Sequence, residues 1–376
     1  MPVNLHLEAN LPITSQPTPI PDTKLYQEET LSDGRKVWVS YPQPDKLVFI
    51  IPIVKHVYAQ DIDPKLSVSA FVAKFVEHLT EPPLVFAEVL GQPHYTYVKG
   101  FWKNTTLVFG KRDARVHFSY VKDETLGVSI RVHMNPRKIG HKGFVDLCKF
   151  LAGVFDLPEL RKWARVKELD VAVDVVGLNV GDIVAHHKRQ VMRTYYVGKD
   201  GQLETVYIHK KPAPTKFPKD PGGKDKPKLQ GKKAGEVLVT IYDRVRNGAR
   251  LGKLPPYGQA PITRIELTKF PFKNTQLEQL LGYPDLLSGL KAGYVGSQDV
   301  PVLPARWREY HAARRTMTAA DATQLLGLPA EAVVPLEKAM KVTTPDLIEP
   351  AVTWAGWHKG LVLTGLVQLL AIGKSS

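Results

Sequence analysis

The chain has a single cysteine, Cys148, in 376 residues. That excludes an internal disulfide framework and any zinc site built from paired cysteines. Cys148 lies in GFVDLCKFLAGVF, where apolar residues recur at helical spacing, and it reads as a buried structural thiol. Long hydrophobic runs are also lacking. The longest is GLVLTGLVQLLAIG near the C-terminus. It falls short of the roughly 20 residues that cross a bilayer and reads as a core or partner-facing helix. The opening segment MPVNLHLEAN has neither the basic nor the apolar part of a secretion signal. The expectation is a soluble, cytoplasmic protein with no membrane partner. Negative charge is in short supply as well: 37 Asp and Glu stand against 51 Lys and Arg, a formal net charge of +14. At 43% hydrophobic residues the chain can still bury a substantial core. A folded protein this basic favours a polyanionic partner, nucleic acid above all.

Along the chain, residues 1–35 contain LPITSQPTPIPD, whose prolines at 12, 17, 19 and 21 suit a flexible arm. Strand-like runs follow at KVWVSY, KLVFIIPIV, TTLVFG and RVHFSYV, with the helical pattern LSVSAFVAKFVEHL among them. GVSIRVHMNPRKI is an alternating strand ending at Asn135–Pro136, and residues 141–165 read as one or two helices. VGDIVAHHKRQVMRT is expected to be helical, and TYYVGKDGQLETVYIHK to be a β-hairpin turning at Asp200–Gly201. Residues 210–235 carry nine lysines against two aspartates, a net of +7, with five prolines and four glycines. That composition excludes regular structure and predicts a basic loop. Its Lys210, Lys211, Lys216, Lys232 and Lys233 would contact phosphates without reading sequence. From about residue 275 the pattern is helical. ARWREYHAARR offers Arg306 and Arg308 as further DNA contacts, and TAADATQLLGLPAEAVVPLEKAMK reads as two short helices about a Gly-Leu-Pro turn.

Three segments carry the chemistry. ELDVAVDV (168–175), VLVTIYDR (237–244) and TRIELT (263–268) are β-branched and alternate in polarity, as strands do. Each puts apolar residues on one face. The opposite faces present Glu168, Asp170 and Asp174; Tyr242 and Arg244; and Arg264 and Glu266. In one sheet they would set carboxylates, a tyrosine and two arginines together. Carboxylates hold hard divalent cations such as Mg²⁺ or Mn²⁺, and an activated tyrosine can attack phosphorus. The combination predicts a DNA-nicking and rejoining enzyme. Asp170 and Asp174 lie four residues apart, roughly 13 Å along a regular strand. Only one of them is therefore expected to hold a metal with Glu266, while the other orients an arginine or lysine. Which does which is open at this level.

The order of these segments between about 128 and 270 resembles the replication initiators of staphylococcal-type rolling-circle plasmids and related filamentous-phage initiators. RVHMNPRKI is similar to that family's strand ending in Asn-Pro, and LDVAVDV to its Leu-Asp-x-Ala-x-Asp segment. The hairpin GKDGQLETVYIHK, the tyrosine segment TIYDR and the strand TRIELT follow in the family's order. Departures include Glu168 where the family has arginine, Arg244 where it has lysine, and His133 where it tends to have glutamate. No His-hydrophobic-His motif is present, which disfavours the histidine-metal class of nicking initiators. The resemblance implies that Tyr242 is the nucleophile, with Glu266, Arg244 and Arg264 as catalytic residues. Asp170, Asp174 and Glu266 would form the metal and acid–base cluster with Mg²⁺ or Mn²⁺. Tyr195, Tyr196 and Tyr207 are rivals for the nucleophile. It further implies origin DNA, single-stranded or in a hairpin, as substrate, and a host helicase and DNA polymerase as partners. A homodimer is consistent with it. The expected architecture is α+β: a mainly antiparallel sheet with helices on one face, and a helical C-terminal region. The nicking and joining domain would span 36–274 and the helical region 275–376. A non-catalytic DNA-binding replicon regulator and a relaxase-like mobilisation enzyme are the competing readings.

Overall fold

The computed structural model describes residues 24–31, 34–80, 88–89, 105–109, 114–188, 192–198, 203–209, 236–252, 260–270, 272, 274–295, 306–314, 317–341, 348–350 and 352–371. Most of the N-terminal arm and the basic loop with its five named lysines lie outside the described residues, as does the tip of the Asp200–Gly201 hairpin.

The chain opens with β1 (Tyr26–Thr30), β2 (Lys36–Ser40), β3 (Gln43–Pro52) and α1 (Val68–Thr80). Next come β4 (Glu88–Val89), β5 (Thr105–Val108), β6 (Arg115–Asp123) and β7 (Gly127–Met134). Helices α2 (Pro136–Ala152) and α3 (Leu157–Trp163) lead into the long strand β8 (Arg165–Val176). The middle of the chain gives β9 (Ile183–His187), β10 (Met192–Val197), β11 (Leu203–His209), β12 (Glu236–Asp243), α4 (Arg244–Arg250) and β13 (Ile262–Phe270). The last part holds β14 (Leu290–Val295), α5 (Trp307–Arg314), α6 (Ala319–Leu325), α7 (Ala330–Lys341), β15 (Ile348–Pro350), α8 (Trp357–Thr364) and α9 (Val367–Leu370).

The fold is α+β. Its main sheet runs β10-β11-β12-β13-β8-β3-β7-β6-β5-β4, with β2 also pairing the end of β8 and β1 pairing β2. The pairings along this sheet are antiparallel. The three chemistry-bearing segments are therefore adjacent strands: β12 pairs β13, and β13 pairs β8. Period-two alternation drives this arrangement, because Leu169, Val171, Val173 and Val175 are all essentially buried on one face. Each such side chain contributes about 1.5–3 kcal/mol, and a one-residue slip in register would turn the whole set to the polar face and drive Asp170 and Asp174 into the apolar core.

The apolar face is covered in two ways. Behind β3, β5, β6 and β7 it packs against α1, α2, α3, α8 and α9, with Phe49, Phe75, Phe118, Phe144 and Phe150 fully buried. Behind β11, β12 and β13 it packs instead against a small three-stranded sheet, β15-β14-β9. Helices thus cover only half of the face expected to carry them. The difference traces to residues 183–187, expected as helix and found as β9. Ile183 and Ala185 face the main sheet, while Val184 packs against Tyr310, Ala322 and Leu336 of α5, α6 and α7. Ile183, Val184 and Ala185 are apolar in succession, so the segment lacks the polar alternation that separates strand from helix.

The C-terminal region is helical in α5–α9 but also supplies β14 and β15. Its apolar run does not stay apart. Trp357, Leu361, Leu366, Leu369 and Leu370 join the main core. The buried Arg161 of α3 donates to the carbonyls of Leu369 and Gln368 at 2.8 and 3.3 Å, satisfying backbone groups at the end of α9. Gly360 permits this docking, since a Cβ there would meet the carbonyl oxygen of Pro42 at 1.9 Å. Cys148 packs against the same core, and burial pushes its thiol up to about 11, which keeps it protonated. Among the described residues no helix is long and apolar enough to cross a membrane.

Candidate active site

The polar face of β8, β12 and β13 is built by register. Tyr242 stands opposite Arg264, and Arg264 opposite Asp174. One row along, Thr240, Glu266 and Ala172 align, and Thr268 stands opposite Asp170. Glu266 is therefore a diagonal neighbour of both Tyr242 and Asp170, within reach for long side chains. Tyr242 Oη donates to Glu266 Oε2 over 3.3 Å.

Asp174 is fully buried and is a hub for arginines. Arg264 reaches it through Nε at 2.7 Å and Nη2 at 3.2 Å, Arg137 through Nη2 at 2.9 Å, and Arg244 through Nη1 at 2.6 Å. Burial alone would push this carboxyl up. Arg264, then Arg137 and Arg244, outweigh it and hold the group well below the usual carboxylate range. Arg264 is held even more firmly in its charged form: burial opposes it, but Asp174 and Asp45 prevail. Of the two aspartates on β8, Asp174 is the one committed to arginine. Its oxygens are turned to guanidinium groups, which removes it from the expected metal set. A break between β2 and β3 at Tyr41–Pro42 helps fix the hub, since the backbone N–H of Asp174 donates to Ser40 Oγ at 2.8 Å instead.

Two members of this hub were not expected. Asp45 sits at a register shift between Pro44 and Lys46, a bulge that re-aims its side chain, and accepts from Arg264 Nη1 at 3.2 Å. Arg137 lies in the first turn of α2, just after the cap Asn135 and the N1 residue Pro136. The Asn-Pro signal marks where that helix starts, but nothing in the sequence says which strand the next arginine meets.

Glu266 has the opposite surroundings. Burial, then Asp170 and Asp45, push its carboxyl up to about 7, against the lowering effect of Arg264 and the Tyr242 hydroxyl. Burial also raises the Tyr242 phenol, and Glu266, Asp45 and Asp174 add to this against Arg264. The phenol is thus protonated and hydrogen-bonded to a carboxyl that titrates near neutrality. Two desolvated carboxyls with like-charge repulsion offer two oxygen donors to a divalent cation, which would relieve that repulsion; among the described residues no group of three or more His, Cys, Asp or Glu forms a fuller site. Asp170 and Glu266 are the residues that would hold it.

A cleft of about 450 Å³ opens beside Tyr242 and Glu266. Its wall includes Tyr207 and Thr205 of β11 and Arg246, Asn247 and Arg250 of α4. α4 starts directly after Tyr242, where the Asp243 side chain accepts from the Arg246 N–H at 2.9 Å. No protein-family model matches this sequence, and no curated protein matches it. The site therefore rests on its own geometry. Among the rival tyrosines, Tyr195 packs toward the apolar cluster. Tyr196 and Tyr207 form an edge-to-face pair with centroids 5.4 Å apart.

The other sites expected from sequence lie elsewhere. His133 pairs in register with His117, with ring centroids 5.5 Å apart. Burial, Lys46, His117 and Arg131 push it down to about 4, which keeps it neutral. Arg306 is exposed at the start of α5, where it pairs with Glu309 at 2.6 Å and donates to the Leu326 carbonyl at 2.6 Å. Arg308 lies on α5. Neither is near Tyr242 in sequence or in the sheet. α6 and α7 flank the Gly-Leu-Pro turn as the spacing predicts.

Proposed function

We propose that this protein is a replication initiator that nicks and rejoins DNA at a rolling-circle origin, with Tyr242 as nucleophile. The observation that carries the reading is the hydrogen bond from Tyr242 Oη to Glu266 Oε2, 3.3 Å long, at a cleft edged by arginines. A lone strand tyrosine is usually a packing residue. One hydrogen-bonded to a buried carboxylate on the paired strand has an acceptor within reach of its proton.

In this mechanism Glu266 takes the phenolic proton as Tyr242 Oη attacks phosphorus. The Oη–P bond forms and the P–O3′ bond breaks. The 5′-phosphate stays on Tyr242, and O3′ leaves as a hydroxyl with the proton that Glu266 took from the phenol, free to prime a host polymerase. Rejoining runs the same steps in reverse. Arg264 and Arg244, fixed by Asp174, supply positive charge against the negative charge that develops on the phosphorane oxygens. Asp170 and Glu266 would hold Mg²⁺ or Mn²⁺, which when bound polarises the phosphate. Origin DNA, melted or in a hairpin, is the substrate in this reading, and a host helicase and polymerase follow from it.

The test is covalent capture. Protein is mixed with single-stranded or supercoiled DNA of its own replicon and Mg²⁺ or Mn²⁺, and an SDS-resistant adduct is mapped. The reading expects a chelator-sensitive adduct on Tyr242 that Tyr242→Phe abolishes. An adduct on Tyr207 or Tyr196 would move the nucleophile. Tight binding with no adduct would make the protein a non-catalytic regulator.

A further inference from the structure

Glu204 of β11 faces α4 across the cleft. Its Oε2 accepts from Arg250 Nη2 at 2.5 Å and its Oε1 from Arg246 Nη1 at 3.4 Å. Arg246 and Arg250 are one helical turn apart and so share a face of α4. Arg246 also lies 3.4 Å from Asp243. The Arg250 side chain is half exposed, whereas that of Glu204 is only 16% exposed. Arg250 is thus open to solvent on one side of a sheltered carboxylate, and both arginines line the cleft that holds Tyr242. A carboxylate bridging two guanidiniums presents two oxygens in the pattern a phosphodiester presents with its two non-bridging oxygens.

We propose that Arg246 and Arg250 form a phosphate-binding site for the phosphodiester neighbouring the scissile one in a single DNA strand, and that Glu204 is the internal anion this phosphate displaces. The proposal rests on the reading that the cleft receives DNA. A single strand, rather than a duplex, suits the cleft. Its volume of about 450 Å³ is that of a small-ligand pocket, and Tyr207, held edge-to-face by Tyr196, offers a ring on which an unstacked base can lie. Glu204 then sets a threshold: the strand must outcompete it before its neighbouring phosphate reaches Tyr242.

The experiment measures binding of a fluorescent, mixed-sequence 12-nucleotide single strand by anisotropy, in chelator and with Tyr242→Phe throughout, so that chemistry plays no part. Glu204→Gln keeps the shape and removes the charge, and is expected to bind about tenfold tighter. Arg246→Ala and Arg250→Ala are expected to bind more weakly, each reducing the slope of log K against log salt by about 0.7. Unchanged affinity in Glu204→Gln together with unchanged salt slopes in the arginine variants overturns the proposal while leaving the DNA reading intact. If no variant binds the strand, the proposal and the DNA reading fall together. Tighter binding by Glu204→Gln in a protein that yields no covalent adduct upholds the site and removes only the nicking reaction.

Discussion

Asp174 and Glu266 lie on the same polar sheet face, on paired strands, two register positions apart. Their surroundings push them in opposite directions. Asp174 is more deeply buried, yet three guanidiniums hold it ionised. Glu266 is less buried, shares its space with Asp170 and Asp45, and is pushed up to about 7. Burial alone decides neither role; what burial is compensated by does. A carboxylate saturated by arginines has no spare lone pairs for a metal or a proton and acts as an anchor. A carboxyl crowded by other carboxyls is poised to take a proton or a cation.

The largest expected effect is on chemistry. Glu266→Gln removes the base beside Tyr242 and should cut the rate of adduct formation by about 10²–10⁴-fold, measured by time-resolved capture. Stability should hardly fall, because the substitution also removes like-charge repulsion with Asp170. A normal rate in this variant would dissolve the contrast between the two carboxyls.

Asp174→Asn should do the reverse on stability. Three buried or half-buried arginines lose their common partner, at a cost of about 3–5 kcal/mol, read by urea denaturation. The pH dependence has a definite sign. The folded pKa of Asp174 is depressed, so its contribution is fully present above the unfolded value near 3.9 and is lost as pH falls through the folded value. The gap between wild type and Asp174→Asn should therefore be full at pH 6 and shrink below about pH 4. A gap independent of pH would assign the loss to packing rather than to charge.

A smaller effect separates the two carboxyls by ligand. Saturating Mn²⁺ should stabilise the wild-type fold by about 2.7 kcal/mol at a hundredfold excess over Kd, read as a thermal shift. Asp170→Asn and Glu266→Gln should lose that shift. A shift retained in both would place the ion elsewhere. The smallest effect comes from an exposed control. Lys36 and Glu28 are 2.7 Å apart, with side chains 63% and 48% exposed. Lys36→Ala should cost at most about 1 kcal/mol by the same denaturation assay. A loss matching that of Asp174→Asn would show that pairing, not burial, sets the scale.

Much of the fold was legible in the sequence because it is written in local patterns. The alternation in ELDVAVDV, VLVTIYDR and TRIELT defines three strands and which residues share a face. The Asn135–Pro136 pair marks the end of β7, although α2 begins at Pro136 rather than at the expected 141, and the Gly-Leu-Pro turn separates α6 from α7. The four-residue spacing of Asp170 and Asp174 was enough to say that they would not share one ion, but not which of them would turn away from it or to what partner. β9 was missed because a strand buried on both sides carries no period-two signal. The half-cover by a small sheet was missed with it.

Local patterning along the chain sets the inventory and its sidedness: a basic chain with Tyr242, Arg264, Glu266, Asp170 and Asp174 on the polar faces of β-strands. Which of them meet depends on pairing across the sheet. The register of β12, β13 and β8 put Tyr242 on Glu266 and Arg264 on Asp174. A bulge in β3 turned Asp45 toward Arg264, and the first turn of α2 delivered Arg137 to Asp174. These contacts join residues up to 219 positions apart. Their electrostatics follow from distance and burial in space, which no spacing along the chain encodes.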